Sequence, residues 1–284
     1  MNHKKEIFLS EDDGLFIPEI GSWGESKYQI IYDYNVLFSS GMRHNWDNRI
    51  YIDLYSGSGK ARVRSTKKIL NSSALLALKV PDPYDKYIFC DIDEINIASL
   101  EARVQKDFPT SNVRYIIGDC NKKIEPIINE IPKYSSKNTV LTFCLIDPFS
   151  LDIKFDTIRK LGESRLVDFL ILFAFGMDGK RNINLYLQEN NSRIDNFLGL
   201  SDWRERWKIQ EKKGINLVTF LANEFTKKMV SLNYRKETIN NYISIRSDEK
   251  NLPLYHLMFF SKHPRGYDFW EKVRKRNIEP ELEF

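Results

Sequence analysis

Residues 51–59 read YIDLYSGSG, the end of an apolar, β-branched run from Ile50 to Tyr55 that stops at a loop carrying Gly57 and Gly59. A short apolar run bounded by glycines predicts a strand, and the glycines let the following loop take positive φ and approach a ligand closely. Ser72 or Ser73 then caps a predicted helix over Ala74 to Val80. The same strand, loop and helix order recurs downstream. Tyr87 to Cys90 precedes a helix started by Asp93 and running to Phe108; Val113 to Ile117 precedes Ile124 to Ile131; Val140 to Ile146 precedes Phe155 to Leu161; and Val167 to Phe175 follows. Five near-continuous apolar strands alternating with helical patterns predict a parallel sheet covered on both faces.

Outward from this core the signals change. Tyr28, Ile31, Tyr32, Val36 and Leu37 recur near a 3.6-residue period and predict a helix over 27–38. Residues 1–26 hold Gly14, Pro18, Gly21 and Gly24 without a sustained period, which predicts a loose N-terminal arm before a domain spanning 27–284. An asparagine-rich stretch containing WRERW (203–207) predicts a helical insert over about 177–213. Leu217, Phe220, Leu221, Phe225 and Met229 follow at helical spacing. Tyr242 to Ile245 and Leu254 to Phe260 flank the polar SDEKN (247–251) and predict an antiparallel hairpin.

The chain's 284 residues, 42% hydrophobic and 29% charged, match one large globular domain or one domain with an insert. Cys90, Cys120 and Cys144 are widely spaced with no CxxC pair, so neither a zinc site nor a disulfide framework is expected. They sit on or beside apolar strands, as small core residues do. Residues 1–13 have no apolar h-region, and runs such as Phe169 to Phe175 are about half of the ~20 residues a membrane span needs. The expected location is the cytoplasm.

A net charge of +4 does not argue for nucleic acid, but its distribution is informative. Between Asp53 and Asp82 there is no acidic residue, whereas Lys60, Arg62, Arg64, Lys67, Lys68 and Lys79 lie there. The block is either a solvated loop or a surface for phosphates beside the glycine loop.

In a doubly wound sheet ligands bind at the carboxyl ends of the strands, and four such ends are polar. They are Asp53 with Gly57 and Gly59, Asp91 after strand two, Asp119 after strand three, and Asp147-Pro148-Phe149 after strand four. A dinucleotide dehydrogenase would want the full GxGxxG and an acid ~20 residues on, and a P-loop would want GxxxxGK followed by Ser or Thr. Neither is present. Four polar ends of this kind favour S-adenosylmethionine.

YIDLYSGSG, YIFCDID, IIGDCN, LIDPFS and LILFAFGM, in that order, resemble the three-Cys-motif partner (TcmP) proteins of the class I S-adenosylmethionine-dependent methyltransferase-like superfamily. The similarity runs from KYQIIYDY near residue 27 to HPRGYDFW near 270. It implies a Rossmann-like class I methyltransferase fold: a mostly parallel seven-stranded sheet, a C-terminal antiparallel hairpin and a helical insert after strand five. It also implies cofactor contacts from Asp53, Tyr55, Gly57 and Gly59, from Asp91 and Ile92 at the ribose, and from Asp119 and Cys120 at the adenine. Asp147, Pro148 and Phe149 align with the motif of amino-methyltransferases acting on bases, which usually has two prolines before its aromatic. This chain has one proline, and Ser150 takes the aromatic's position.

The expected function is S-adenosylmethionine-dependent methylation of an amino group on a nucleic-acid base, RNA or DNA. Lys60, Arg62, Arg64, Lys67 and Lys68 are the expected phosphate contacts, and a three-Cys-motif protein is a candidate partner. The alternative is a methyltransferase-fold module that binds nucleic acid or a partner protein without turnover. Several residues keep simpler readings: Asp53 and Asp147 as backbone caps at strand ends, His256 as a core histidine, HPRG (263–266) as a turn, and Trp203 and Trp207 as either base-stacking or packing residues.

Overall fold

The structure is a computed structural model that describes residues 7–174, 184–236, 242–246 and 253–278. Seven strands form the central sheet: β3 (Asn48–Asp53), β6 (Lys86–Asp91), β7 (Val113–Ile117), β8 (Val140–Ile146), β9 (Val167–Phe173), β10 (Tyr242–Arg246) and β11 (Pro253–Phe260). Their spatial order is β10-β11-β9-β8-β3-β6-β7. Five are parallel, and β11 runs antiparallel to both β9 and β10. This is the mostly parallel sheet with a C-terminal antiparallel hairpin that the sequence predicts.

The chain leaves β3 toward β6 and β7 on one side and returns to β8 and β9 on the other, so the switch point lies at β3. Register aligns the strand ends. Asp53 is opposite Phe89 in β6 and Leu145 in β8, so Asp91 and Asp147 each fall two residues beyond that line. Side chains alternate across each strand, which divides the core into two layers. Tyr51, Phe143 and Leu145 pack on one face, Ile52, Cys144 and Ile146 on the other.

Helices α1 (Gly24–Met42), α2 (Ser73–Leu78) and α3 (Glu94–Asp107) precede α4 (Ile124–Glu130) and α5 (Phe155–Ser164). Asp93 caps α3 by accepting a hydrogen bond from Ile95 N at 2.8 Å, whereas Ser72 stands at the cap position of α2 without a side-chain bond. After β9 come α6 (Arg193–Leu198), α7 (Trp203–Glu211) and α8 (Leu217–Ser231), and α9 (Pro264–Ile278) closes the described chain. Residues 177–183 of the expected insert, and the SDEKN turn, lie outside the described residues.

The N-terminal region differs from a loose arm. Strands β1 (Leu9–Ser10) and β2 (Glu19–Ile20) join β4 (Lys60–Val63) and β5 (Ile69–Asn71) in a second sheet of order β1-β5-β4-β2. The basic stretch is therefore a hairpin, turning at Lys67 with φ +58°. Two-residue strands leave no readable period, which is why the sequence pattern does not reveal them.

Trp203 and Trp207 are buried in the core layer on the α7 side, so the base-stacking alternative for them falls to packing. Cys90, Cys120 and Cys144 are free and buried. Among the described residues no helix is long and apolar enough to cross a membrane, and no group of residues is arranged to hold a metal ion.

Candidate functional site

A cavity of about 670 Å³ opens at the carboxyl ends of β3, β6, β7 and β8. The glycine loop forms its floor. Gly57, at φ +60°, donates its N–H to Asp91 Oδ2 at 2.8 Å, and Ser56 N donates to Cys90 O at 2.9 Å, which fastens the loop to the end of β6. A Cβ on Gly57 would meet nothing within 4 Å, so the backbone there borders open space. Gly59, at φ +87°, is different: a Cβ there would lie 2.8 Å from Leu100 Cδ1, so this glycine lets α3 pack against the loop and does not line the cavity.

Asp53 is fully buried beneath the loop, where it accepts a hydrogen bond from Tyr55 N at 3.1 Å and one from the Tyr51 hydroxyl at 3.4 Å. Burial pushes its carboxyl up to about 7. It supports the loop from below and is not in the cavity lining, whereas Tyr55 is.

Asp91 lines the cavity. Its Oδ1 accepts from Asp93 N at 2.9 Å and from Asn96 Nδ2 at 3.1 Å, which fixes the carboxylate at the mouth of β6. Ile92 beside it is 73% exposed and forms an apolar shoulder. Beyond β7, Asp119 Oδ1 accepts from Asn121 N at 2.9 Å and Asn121 Nδ2 at 3.0 Å. Burial pushes the neighbouring Cys120 thiol up to about 11, so it stays protonated in the wall.

Polar atoms around this cavity, Ser56 Oγ, Ser72 Oγ and Asn96 Oδ1 among them, are buried and have no hydrogen-bond partner among the described residues. Leaving a buried polar group unpaired costs about 1 to 3 kcal/mol. A polar ligand in the cavity is a natural partner for them.

Asp147, at the end of β8, meets a residue the sequence reading did not single out. Lys27 Nζ, from α1, donates to Asp147 Oδ2 at 2.6 Å, and the two side chains are only 6% and 11% exposed. The ammonium also sits 5.0 Å from the Trp23 ring and 4.8 Å from the Tyr28 ring. Burial works against the Lys27 charge, but the adjacent Asp147 carboxylate outweighs it and raises the ammonium above its ordinary value. Pro148 is buried, while Phe149 is 83% exposed at the rim. A second cleft of about 470 Å³, lined by Gln188, Asn190, Asn191, Arg193 and Asn196, shares Asp152 and Lys154 with the main cavity.

Phe16, Pro18 and Ile20 of the N-terminal region close another wall. Arg62 N and Arg64 N donate to Pro18 O and Ile20 O at 2.8 and 2.9 Å, and Arg103, 2% exposed, holds Phe16. It donates to both Asp13 oxygens at 2.8 and 2.7 Å, to Phe16 O at 3.1 Å, and to Ser58 O in the glycine loop.

The five basic residues expected to meet phosphates face acids of the same N-terminal region. Lys60 is buried against Asp13 at 2.9 Å, and Arg62 donates to Asp12 at 2.6 Å. Arg64 and Lys67 lie 3.9 and 3.2 Å from Glu19, and Lys68 lies 3.4 Å from Glu25. Each of the five thus has an acid beside it in space, although Arg64 and Lys67 share Glu19, and Lys60 shares Asp13 with Arg103. An acid-rich 11–25 ahead of an acid-free 54–81 is the signal that points to this pairing.

No family model matches the chain. No curated protein matches it either. Solved structures do. An S-adenosylmethionine-dependent methyltransferase from Clostridium acetobutylicum is 14% identical at a TM-score of 0.30, over 52% of this chain and 50% of that one, so the match spans about half of its length. A putative RNA methyltransferase from Pyrococcus horikoshii is 10% identical over 81% of this chain and 83% of that one, with a TM-score of 0.39. A putative O-methyltransferase from Klebsiella pneumoniae is 10% identical over 92% and 95%, with a TM-score of 0.46.

Proposed function

We propose that the chain is an S-adenosylmethionine-dependent methyltransferase acting on nucleic acid, with the cofactor in the 670 Å³ cavity and the substrate at its Asp147 end. The observation that carries this reading is the ring of unpartnered Ser56, Ser72 and Asn96 polar atoms beside Asp91 and the bare Gly57 backbone. These suit a ligand with hydroxyls, an amino acid end and a heterocycle. When bound, the cofactor supplies an electrophilic methyl group on a cationic sulfur.

The chain's own residues do the rest. Asp91 accepts from ligand hydroxyls, with the hydrogen bonds from Gly57, Asp93 and Asn96 keeping its oxygens in place. Asp119 serves the heterocycle's amino group. The Arg103 clamp on Phe16 and the β4 backbone bonds to Pro18 and Ile20 keep this wall over the cavity and exclude water. Phe149, exposed at the rim, offers a ring for stacking, and the amide-lined cleft next to it suits base edges and sugar hydroxyls. The resemblance to three-Cys-motif partner proteins rests on the strand-end motifs quoted above and belongs to this proposal.

The test is thermal unfolding with S-adenosylmethionine, S-adenosylhomocysteine, NAD and ATP in turn. A ligand at a hundred times its dissociation constant adds about 2.7 kcal/mol. Stabilisation by the first two and not the others supports the reading; stabilisation by NAD or ATP alone contradicts it. Cofactor binding with no labelled methyl reaching RNA, DNA or protein would favour the non-catalytic module.

A further inference from the structure

We infer that the Lys27–Asp147 pair makes this an oxygen-methylating site, taking a ribose hydroxyl of RNA and not the exocyclic amine of a base. The inference rests on the methyltransferase and nucleic-acid reading above and narrows its substrate.

The motif at 147–149 on its own suggests an amine, because a free carboxylate can draw the hydrogens of an exocyclic amine out of the ring plane. The geometry here is different. Asp147 Oδ2 is taken by the Lys27 ammonium at 2.6 Å, while Oδ1 has no hydrogen-bond partner among the described residues and the carboxylate lines the cavity. One oxygen is therefore left to orient the nucleophile, with a permanent cation on the other side of the carboxylate. The cation cannot swing away, because its side chain is buried and flanked by the Trp23 and Tyr28 rings.

That cation discriminates between nucleophiles. An amine attacking a methyl carbon gains positive charge on nitrogen before it loses a proton, and a nearby ammonium opposes this. A hydroxyl gives up its proton as its oxygen attacks, and the same ammonium favours the negative charge that oxygen develops. Balanced, the step moves the hydroxyl proton to Asp147 Oδ1 while the oxygen lone pair bonds to the methyl carbon. The sulfur keeps the electron pair of the broken carbon–sulfur bond and becomes a neutral thioether. Within nucleic acid the internal hydroxyl is the ribose 2′-OH, present in RNA and absent from DNA.

Two readouts test this. The first needs no substrate: calorimetry of S-adenosylmethionine, which is cationic at sulfur, against S-adenosylhomocysteine, which is not. Lys27→Met leaves Asp147 unbalanced and is expected to raise the preference for the cation several-fold. Lys27→Arg is expected to leave it near wild type, and Asp147→Asn to lower it, which keeps the test usable if the methionine variant fails to fold. An unchanged ratio in Asp147→Asn would overturn the assignment of the pair to the reacting centre. The second is labelled methyl transfer to total RNA followed by alkaline hydrolysis, since a 2′-O-methyl group blocks cleavage. Label in alkali-resistant dinucleotides supports the inference. Label on bases overturns it while leaving the methyltransferase reading intact, and label only in DNA or protein overturns the RNA substrate. A wild-type chain that binds the cofactor and labels none of these pools overturns both.

Discussion

Lys27 Nζ lies 2.6 Å from Asp147 Oδ2, joining the first long helix to the end of β8 across 120 positions of sequence. The contact fixes the buried charge of a lysine at the strand end where the substrate is proposed to sit, and it links folding to chemistry at one point.

The first expectation is energetic. Removing one partner of a buried pair strands the other charge, so Lys27→Met should destabilise the protein by about 3 to 5 kcal/mol in urea unfolding. The double variant Lys27→Met/Asp147→Asn should recover most of that loss. A double variant as unstable as the single one would show that Lys27 contributes through packing of its stem and not through the pair.

The Arg103 clamp yields the second. Arg103→Met removes the donors to Asp13, Phe16 and Ser58 at once and should release the N-terminal wall. Chymotrypsin should then cut at Phe16 well before global unfolding, and the cofactor should dissociate faster. Equal protection of Phe16 in wild type and variant would mean that strands β1 and β2 hold the wall without the clamp.

Strand ends were legible because polarity after an apolar run needs no long-range information: Asp91, Asp119 and Asp147 all line one cavity, as their positions suggested. Asp53 and Gly59 look the same in sequence, yet the register carries one under the loop and the other against Leu100. Lys27 was not legible, since a lone lysine at the start of a helical pattern reads as a solvated end. The ion pairing of the basic hairpin was hidden for a related reason: its partners, Asp12, Asp13, Glu19 and Glu25, lie dozens of residues upstream.

That pairing sets the third expectation, a contrast between two variants in RNA binding. With Arg62, Arg64, Lys67 and Lys68 each against an acid, their joint replacement by alanine should change RNA affinity by roughly a factor of two or less. Phe149→Ala, which removes the exposed ring, should weaken it by about 1 to 3 kcal/mol if the ring stacks on a base. The reverse ranking would put the nucleic acid on the hairpin.

The fourth concerns pH. Asp168, buried in β9, has its carboxyl pushed up to about 7 by desolvation, against the pull of a hydrogen bond from Ser261. The folded state then holds a proton that the unfolded chain, with its ordinary value near ~3.9, has already lost. Stability from this group is full below about pH 4 and falls as pH rises toward 7, by up to roughly 4 kcal/mol. Asp53, which burial shifts in the same direction, adds a comparable slope, so Asp168→Asn should roughly halve the slope in urea titrations run between pH 4 and 8; an unaltered slope would assign it to Asp53 alone.

The central claim is that S-adenosylmethionine occupies the cavity with Asp91 at its hydroxyls, and calorimetric titration of wild type and Asp91→Ala with that cofactor tests it most directly. One site per chain is predicted, with affinity reduced by about 1 to 3 kcal/mol in the variant, the loss expected when hydroxyls no longer meet a charged acceptor. Absence of binding to the wild type, or equal affinity in Asp91→Ala, would contradict the account.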